Sequence, residues 1–179
     1  FVTHDQAEAL AISDRVAVML GGRVAQFGTP AEIYRDPVSL AVARFVGTPT
    51  INVLDGAADA SGRVLAGGFV FDVRLDTTAG QKVSVAVRPE NVRIAAGHDD
   101  SRPLLRVVRI EDHGHDGLVH LAGRDGGEAL LVARAGRALA FRPGDEVRAA
   151  ISADDALYFS EDGSRLAGLP VSMAAYARG

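Results

Sequence analysis

The sequence contains no cysteine and no tryptophan, and only one of its 179 residues is a lysine. Without cysteine, a disulfide scaffold and a thiolate metal site are both excluded. The lysine, Lys82, lies between Gln81 and Val83, whereas a phosphate-binding P-loop requires Gly-Lys-Ser/Thr after a glycine-rich turn. The chain therefore contains no P-loop, and we expect it not to bind ATP productively on its own.

Aromatic residues are also scarce, at 6% of the chain, and no apolar run approaches the length of a bilayer-spanning helix. The net charge is −4, and acidic and basic residues are interspersed, so the arginines form no basic stripe. Stacking platforms with basic neighbours, which bind single-stranded nucleic acid, are missing as well. We therefore expect no nucleic-acid partner. Apolar residues make up 47% of the chain, which is enough for a packed core.

The first 47 residues carry the signals of short helices and one β-hairpin. Residues 7–14 predict a helix, and a strand over 15–20 is followed by a glycine pair and a second strand over 23–27. Two consecutive glycines between apolar strands are typical of a tight hairpin turn. The string Thr-Pro-Ala-Glu at 29–32 has the spacing of a capping box and predicts a short helix through Tyr34.

A further helix precedes a change in the pattern. Asp36-Pro37 predicts its start, Gly47 its end, and Pro49 prevents its continuation. We therefore expect a domain boundary at 47–50, with residues 1–47 forming one unit and residues 48–179 forming the other.

Beyond that boundary the chain consists of short apolar runs separated by glycine, aspartate and proline turns. Many short strands at such spacing predict a mainly β fold, either a small barrel or a sandwich. The predicted strands are residues 51–58, 63–65, 69–75, 83–88, 104–111, 118–122, 129–133, 146–151 and 157–159.

The opening string, Phe-Val-Thr-His-Asp-Gln-Ala-Glu-Ala-Leu-Ala-Ile-Ser-Asp at 1–14, runs from a strand remnant into a histidine and then into a helix. Together with its continuation to Pro37, it closely resembles the end of the nucleotide-binding domain of ABC import ATPases. Because the chain opens inside this motif, we expect it to be the tail end of a larger protein.

This resemblance implies a catalytic role for His4 as the switch histidine, which contacts the γ-phosphate of ATP and helps to orient the attacking water. An imidazole suits that role because it can donate a hydrogen bond near neutral pH. ATP and Mg²⁺ are then the cofactors of the intact parent, in which His4 is an ATP-binding residue. The chain itself lacks the P-loop, the Ser-Gly-Gly signature and the water-polarising carboxylate. We therefore expect it to be inactive alone and to hold no cofactor.

A second string, Val-Ala-Val-Arg-Pro-Glu-Asn-Val at 85–92, resembles the strand and turn of the transport-associated oligomer-binding (TOBE) domain. Residues 157–165 resemble its closing strand, and Asn52 and Leu54 its entry. The resemblance implies a mainly β fold class, in which residues 48–179 form an OB-like regulatory barrel with added strands. A short α/β tail of an ABC nucleotide-binding domain, residues 1–47, precedes it.

The form Pro-x-x-Asn-x-Leu at 49–54 looks most like that of subunits that energise uptake of sugars or glycerol phosphates. The resemblance therefore implies an ATP-binding subunit that couples ATP hydrolysis to solute import. It implies a homodimer that works beneath membrane permease subunits, cytoplasmic and peripheral to the inner face of the cell membrane. The C-terminal domain of this family forms dimer contacts and can receive regulatory signals.

Two groups of polar residues invite other interpretations. Arg88 and Glu90 could tune each other's pKa, but an ion pair or turn-fixing hydrogen bonds at a strand end explain them better. Residues 111–116 (Glu-Asp-His-Gly-His-Asp), with His120 nearby, resemble a divalent-cation site. The solvated turn of a β-hairpin explains the same residues, so we expect no metal there.

Two other function classes stay open. One is a small-ligand or oxyanion-sensing OB-like binding module, which would need a dense cluster of Ser/Thr and backbone donors. The other is an independent metal-dependent enzyme that uses residues 112–116. Neither explains the string at 1–37.

The resemblance also predicts a physical property of residues 1–47. If this segment normally packs against an α/β core, Leu10, Ile12 and Phe45 should be exposed unless another surface covers them. We therefore expect this segment either to self-associate or to be ordered against the β-rich part.

Overall fold

The structure of the protein is a computed structural model that describes residues 2–3, 6–95, 102–124, 130–136 and 141–170. Within these ranges the chain is mainly β. The α-helices are α1 (Gln6–Ile12), α2 (Pro30–Arg35) and α3 (Leu40–Phe45). The strands are β1 (Val16–Leu20), β2 (Arg23–Gly28), β3 (Asn52–Ala58), β4 (Val64–Ala66), β5 (Phe69–Phe71), β6 (Val73–Leu75), β7 (Lys82–Val87), β8 (Arg93–Ala95), β9 (Leu104–Asp112), β10 (Asp116–Gly123), β11 (Leu131–Gly136), β12 (Glu146–Ala150), β13 (Ala156–Ser160), β14 (Arg165–Leu166) and β15 (Gly168–Pro170).

The hairpin and the capping box predicted for the N-terminal segment are both confirmed. Gly21 and Gly22 join β1 to β2 with φ angles of +54° and +74°, which glycine adopts without a steric penalty. The Thr29 side chain accepts from the Glu32 backbone N–H, and the Glu32 carboxylate accepts from the Thr29 N–H at 2.7 Å. This reciprocal pair fixes the start of α2.

The helix predicted to start at Asp36-Pro37 begins later. Asp36 instead ends α2, because its backbone N–H donates to the Glu32 carbonyl. Ser39 then caps α3, and its hydroxyl accepts from the Val42 N–H at 3.3 Å. Residues 36–39 therefore end α2 at Asp36 and cap the start of α3 at Ser39.

The strands from residue 52 onward form two larger sheets and one small one. The six-stranded sheet has the order β14-β13-β7-β3-β4-β5, and the five-stranded sheet has the order β11-β10-β9-β12-β8. β15 pairs with β6 as a separate ribbon. The predicted mainly β class is confirmed, but the described residues do not form the predicted closed barrel. A closed barrel needs two neighbours for every strand, and these sheets have open strand orders instead.

The main core lies between the two larger sheets. Val83, Val85 and Val87 alternate along β7 and all point into it. Phe71 is 1% exposed and meets the Tyr158 ring edge-on, with the ring centroids 6.1 Å apart. Burial of these side chains supplies the main driving force for folding of the β-rich part.

A buried amide ties the two sheets together. Asn52 is 7% exposed; its Nδ2 donates to the carbonyls of Val87 (3.1 Å) and Val132 (2.9 Å). Its Oδ1 accepts from the Val132 N–H at 2.7 Å. β3 and β7 are thereby linked to β11 of the other sheet through fully paired polar atoms.

Replacing Asn52 with leucine should destabilise the fold by about 2 kcal/mol, because the Val132 N–H and two carbonyls lose their partners in a buried setting. Urea unfolding of the wild-type and Asn52→Leu chains measures this difference. A loss below about 0.5 kcal/mol would mean that these backbone groups do not depend on Asn52.

Candidate functional site

The N-terminal segment joins the six-stranded sheet through α3. The residues Ala43, Ile51, Ala86 and Phe159 form a small core between this helix and the outer face of β7 and β13. Ser39 forms a β-bridge with Ser164, and the Leu40 N–H donates to the Gly163 carbonyl at 2.9 Å. Because α3 covers this face, Ala86 and Phe159 are fully buried on the side opposite the main core.

Arg88 follows β7 directly and reaches into the N-terminal segment. The side chain is only 4% exposed. Its Nη1 donates to the carbonyls of Val46 (2.5 Å) and Ala43 (3.2 Å), at the end of α3, and its Nη2 donates to the Tyr34 carbonyl at 3.1 Å. Carbonyls at a helix C-terminus carry partial negative charge and favour a cation. Burial lowers the pKa of Arg88, and Tyr34 and Glu90 act in the opposite direction.

Tyr34 connects Arg88 to Glu90. The Arg88 guanidinium lies over the Tyr34 ring, 4.1 Å from its centroid, and the Tyr34 hydroxyl donates to the Glu90 carboxylate at 2.5 Å. Burial and this hydrogen bond raise the pKa of Tyr34 to about 12, so the phenol stays neutral at physiological pH. The ion pair considered for Arg88 and Glu90 is thus replaced by two separate contacts with one tyrosine.

The chain turns sharply after α3 at residues 45–47, which we name the 45–47 corner. The Gln6 side chain spans it: its Nε2 donates to the Phe45 carbonyl at 2.6 Å, and its Oε1 accepts from the Gly47 N–H at 3.0 Å. Gly47 has a φ of +104°, and a Cβ there would lie 2.9 Å from Arg88 Nη1. The corner therefore accepts glycine alone without displacing Arg88.

A cleft of about 440 Å³ lies beside this corner. It is bordered by Gln6, Ala7, Leu10, Tyr34, Gly47, Thr48, Glu90 and Arg134. The Arg134 guanidinium at its edge donates to the Asp116 carboxylate at 3.0 Å and to the Thr48 carbonyl at 3.1 Å. The polar groups around the cleft are thus held by contacts with the protein itself.

His4, the predicted switch histidine, lies outside the described residues, while Gln6, two positions later, begins α1. Lys82 starts β7, where its Nζ contacts the Glu161 carboxylate at 2.6 Å, and both side chains are largely exposed. An exposed lysine paired with a carboxylate at the start of a strand, with no glycine-rich turn around it, is not the donor set that ATP phosphates require. The residues present do not fit ATP and Mg²⁺ by themselves.

The histidine and carboxylate residues of 111–120 lie on the β9–β10 hairpin. Glu111 accepts from His120 Nε2 at 2.8 Å and also pairs with Arg109. Partial desolvation acts to raise the pKa of Glu111, but His120 and Arg109 together lower it. His113 and His115 lie between 3.4 and 3.8 Å from neighbouring carboxylates. In the part of the chain that the structure describes, no three such side chains are placed to hold a metal ion.

Exposed apolar side chains are concentrated in the N-terminal segment. Among the described residues the large exposed ones are Val2, Ile12, Met19, Val24, Phe27, Val38, Phe45, Leu65 and Val70. Only the last two lie beyond residue 47. Exposure of Ile12 (68%) and Phe45 (45%) is as predicted, whereas Leu10 is half-buried against the small core of Val18, Ile33, Val42 and Val46. The large exposed apolar side chains of the described residues thus lie mainly before residue 48.

Comparison with known proteins shows what the chain is similar to. Residues 85–159 match the family model of the TOBE domain. The chain is 40% identical over 136 residues to the sn-glycerol-3-phosphate import ATP-binding protein UgpC of Salmonella choleraesuis (strain SC-B67), covering 74% of this chain and 37% of that protein. The chain is therefore similar, over most of its length, to the ATP-binding proteins of ABC importers. The resemblance predicted from the strings at 1–37 and 85–92 is thereby confirmed.

Two other matches are with a second UgpC protein and with one solved structure. UgpC of Chromobacterium violaceum is 36% identical over 171 residues, covering 92% of this chain and 45% of that protein. The chain thus spans less than half the length of these ABC importer relatives. A crystal structure of the cytoplasmic molybdate-binding protein ModG with molybdate bound is similar with a TM-score of 0.48 and 22% identity, over 60% of this chain and 94% of that one. No helix within the described ranges is long and apolar enough to cross a membrane.

Sequence reasoning found Arg88 and Glu90 but missed Gln6 and Tyr34. Tyr34 was placed at the end of a predicted helix and Gln6 directly before another, where a glutamine and a half-buried tyrosine are ordinary. Their partners are 39 and more positions away in the sequence. Helical periodicity carries no signal for such contacts.

Proposed function

We propose that this chain acts as the C-terminal part of the ATP-binding subunit of an importer for glycerol phosphate or a sugar. The observation that carries the proposal is the 74–92% coverage of this chain by UgpC proteins, together with the TOBE match. In this proposal residues 1–47 end the nucleotide-binding domain, and residues 48–179 form the regulatory and dimer-forming domain. The subunit works as a homodimer on the cytoplasmic face of the membrane, bound to permease subunits.

The distribution of exposed apolar side chains supports this division. Ile12, Phe27 and Phe45 are exposed in this chain, and in this proposal the remainder of a nucleotide-binding domain covers them. His4 contributes to hydrolysis only when the P-loop and the water-polarising carboxylate are supplied by that remainder. The chain alone supplies the β-rich domain and the segment that follows the histidine.

The test is ATP hydrolysis by the intact ATP-binding protein that contains this chain, assembled with its permease subunits. We expect His4→Ala to lower turnover by about a hundredfold or more, because a positioned donor to a developing charge is lost. His115→Ala is the matched control, since that histidine is 86% exposed on the hairpin and should leave turnover unchanged. The isolated chain should bind no ATP in a calorimetric titration.

The substrate class is tested separately in membrane vesicles that carry the complete importer. Uptake of radiolabelled glycerol 3-phosphate is compared with uptake of a disaccharide. ATP turnover by the isolated chain, or full activity of the His4→Ala protein, would contradict the proposed role. Uptake of neither substrate would contradict the substrate class alone.

A further inference from the structure

The helix α1 lies at the surface of the described part of the chain. It has seven residues, none of them buried, and a helix this short is only marginally stable by itself. Leu10 is its one residue that packs partly against the small core of Val18, Ile33, Val42 and Val46. Its inner side borders the cleft of about 440 Å³, so close packing does not fix its position against the β-rich part.

Gln6 provides a polar attachment of α1 to the 45–47 corner. Its carboxamide is half-buried and satisfies two backbone groups of the 45–47 corner, the Phe45 carbonyl and the Gly47 N–H. Because a carboxamide that makes two hydrogen bonds to the backbone is fixed in both position and orientation, Gln6 has one defined placement against the corner. The beginning of α1 is therefore tied to the corner at a defined geometry.

Arg88 binds the same corner at its middle residue, Val46. It donates to the Val46 carbonyl at 2.5 Å, between the two residues that Gln6 binds, and its Nη1 leaves no room for a Cβ at Gly47. Arg88 is itself fixed by β7 and by the Tyr34 ring. A shift of Arg88 must therefore move the corner, and a shift of the corner must move the groups that Gln6 binds.

We propose that Gln6, the 45–47 corner and Arg88 form a mechanical coupling that sets the position of α1 according to the position of the β-rich part. Gln6 and Arg88 are positioning residues in this coupling. Its consequence for function rests on the proposed role of His4, which lies two residues before Gln6 in the sequence. Through the coupling, a signal received by the regulatory domain reaches the segment that carries the switch histidine.

The chain offers a closely matched control for Gln6. The Gln26 carboxamide on β2 makes the same kind of bridge: its Nε2 donates to the Asp36 carbonyl at 3.1 Å and its Oε1 accepts from the Val38 N–H at 3.0 Å. Gln26→Met and Gln6→Met each remove two hydrogen bonds at nearly constant side-chain volume. Only the Gln6 change acts on the link to α1.

Amide hydrogen exchange of this chain tests the coupling directly. We expect Gln6→Met to speed exchange at Gly47 and in α1 by about tenfold, as local opening becomes more frequent. Gln26→Met should speed exchange at Val38 and leave Gly47 and α1 unchanged. Arg88→Lys, which retains the charge but loses the guanidinium fork, should also speed exchange in α1, although the hydrogen bonds of Arg88 described above go to Tyr34, Ala43 and Val46.

Combining Gln6→Met with Arg88→Lys should give no further increase in α1 exchange, because the two residues act through one corner. Unchanged α1 exchange in Arg88→Lys, or multiplicative effects in the double variant, would overturn the coupling. Equal effects of Gln6→Met and Gln26→Met on exchange in α1 would also overturn the coupling, since a general loss of stability would then explain both.

Kinetics of the intact importer give the second measurement. Gln6→Met should lower kcat for ATP hydrolysis severalfold with KM unchanged, while Gln26→Met should leave both unchanged. If the intact protein hydrolyses no ATP, the proposed function fails and the exchange data still decide the coupling. If it hydrolyses ATP equally well with Gln6→Met, the coupling does not reach the site and the inference fails.

Discussion

Replacing Phe71 with alanine is expected to lower the free energy of unfolding by about 3–5 kcal/mol, the usual cost of truncating a fully buried phenylalanine. Phe71 is 1% exposed, lies in the core between the two larger sheets and contacts the rings of Phe69 and Tyr158. Truncation removes this apolar burial and leaves a cavity that the surrounding structure closes only in part. Urea denaturation followed by circular dichroism measures the loss.

The preceding residue provides the control for Phe71. Val70 lies on the same strand but faces outward and is 58% exposed, so Val70→Ala should change stability by less than about 0.5 kcal/mol. A similar loss of stability in the two variants would show that the inward-facing side chain of β5 contributes no more to stability than the outward-facing one.

Replacing Arg88 with methionine is expected to cost about 3 kcal/mol, because charged hydrogen bonds to buried groups are lost and the acceptors remain. The carbonyls of Tyr34, Ala43 and Val46 lose their donor, and the Tyr34 ring loses its stacked cation. Methionine fills most of the aliphatic volume, so the change reports mainly on the guanidinium. Thermal and urea unfolding should give the same decrease in the free energy of unfolding.

Arg106 on β9 is the matched control for this substitution, since its side chain is exposed. Arg106→Met should lie within about 0.5 kcal/mol of wild type. Arg88→Lys should fall between wild type and Arg88→Met, because an ammonium group cannot reach three carbonyls arranged around a planar fork. A stability of Arg88→Met equal to wild type would contradict the role of Arg88 as the link between α3 and β7.

Local sequence signals predicted the elements that depend on neighbouring residues. The glycine pair fixed the β1–β2 turn, and the Thr-Pro-Ala-Glu string fixed the start of α2. The start of α3 was misplaced because Asp36-Pro37 is a helix signal whose Asp36 N–H was already used to end α2. The run predicted as one strand over 69–75 is divided at Asp72 into β5 and β6, which pair with different strands.

Strands that lack their own apolar pattern were missed. β8, β14 and β15 are three residues long or shorter. They exist because an edge of a neighbouring strand supplies hydrogen bonds, as β12 does for β8. Periodicity over two or three residues cannot distinguish a strand from a loop.

The sequence alone determined the resemblance to ABC importer ATP-binding proteins and the β-rich class of this protein. Strings such as those at 1–14 and 85–92 carry specific residues at fixed spacing, and short apolar runs between turns favour strands. It also excluded a complete ATP site, since the chain has no Gly-Lys-Ser/Thr. Only the tertiary structure decided that Arg88 binds the carbonyls of α3, that Asn52 joins the two sheets and that Gln6 holds the 45–47 corner. These contacts join residues more than 35 positions apart, and the geometry that pairs them is created by packing, which no local pattern encodes.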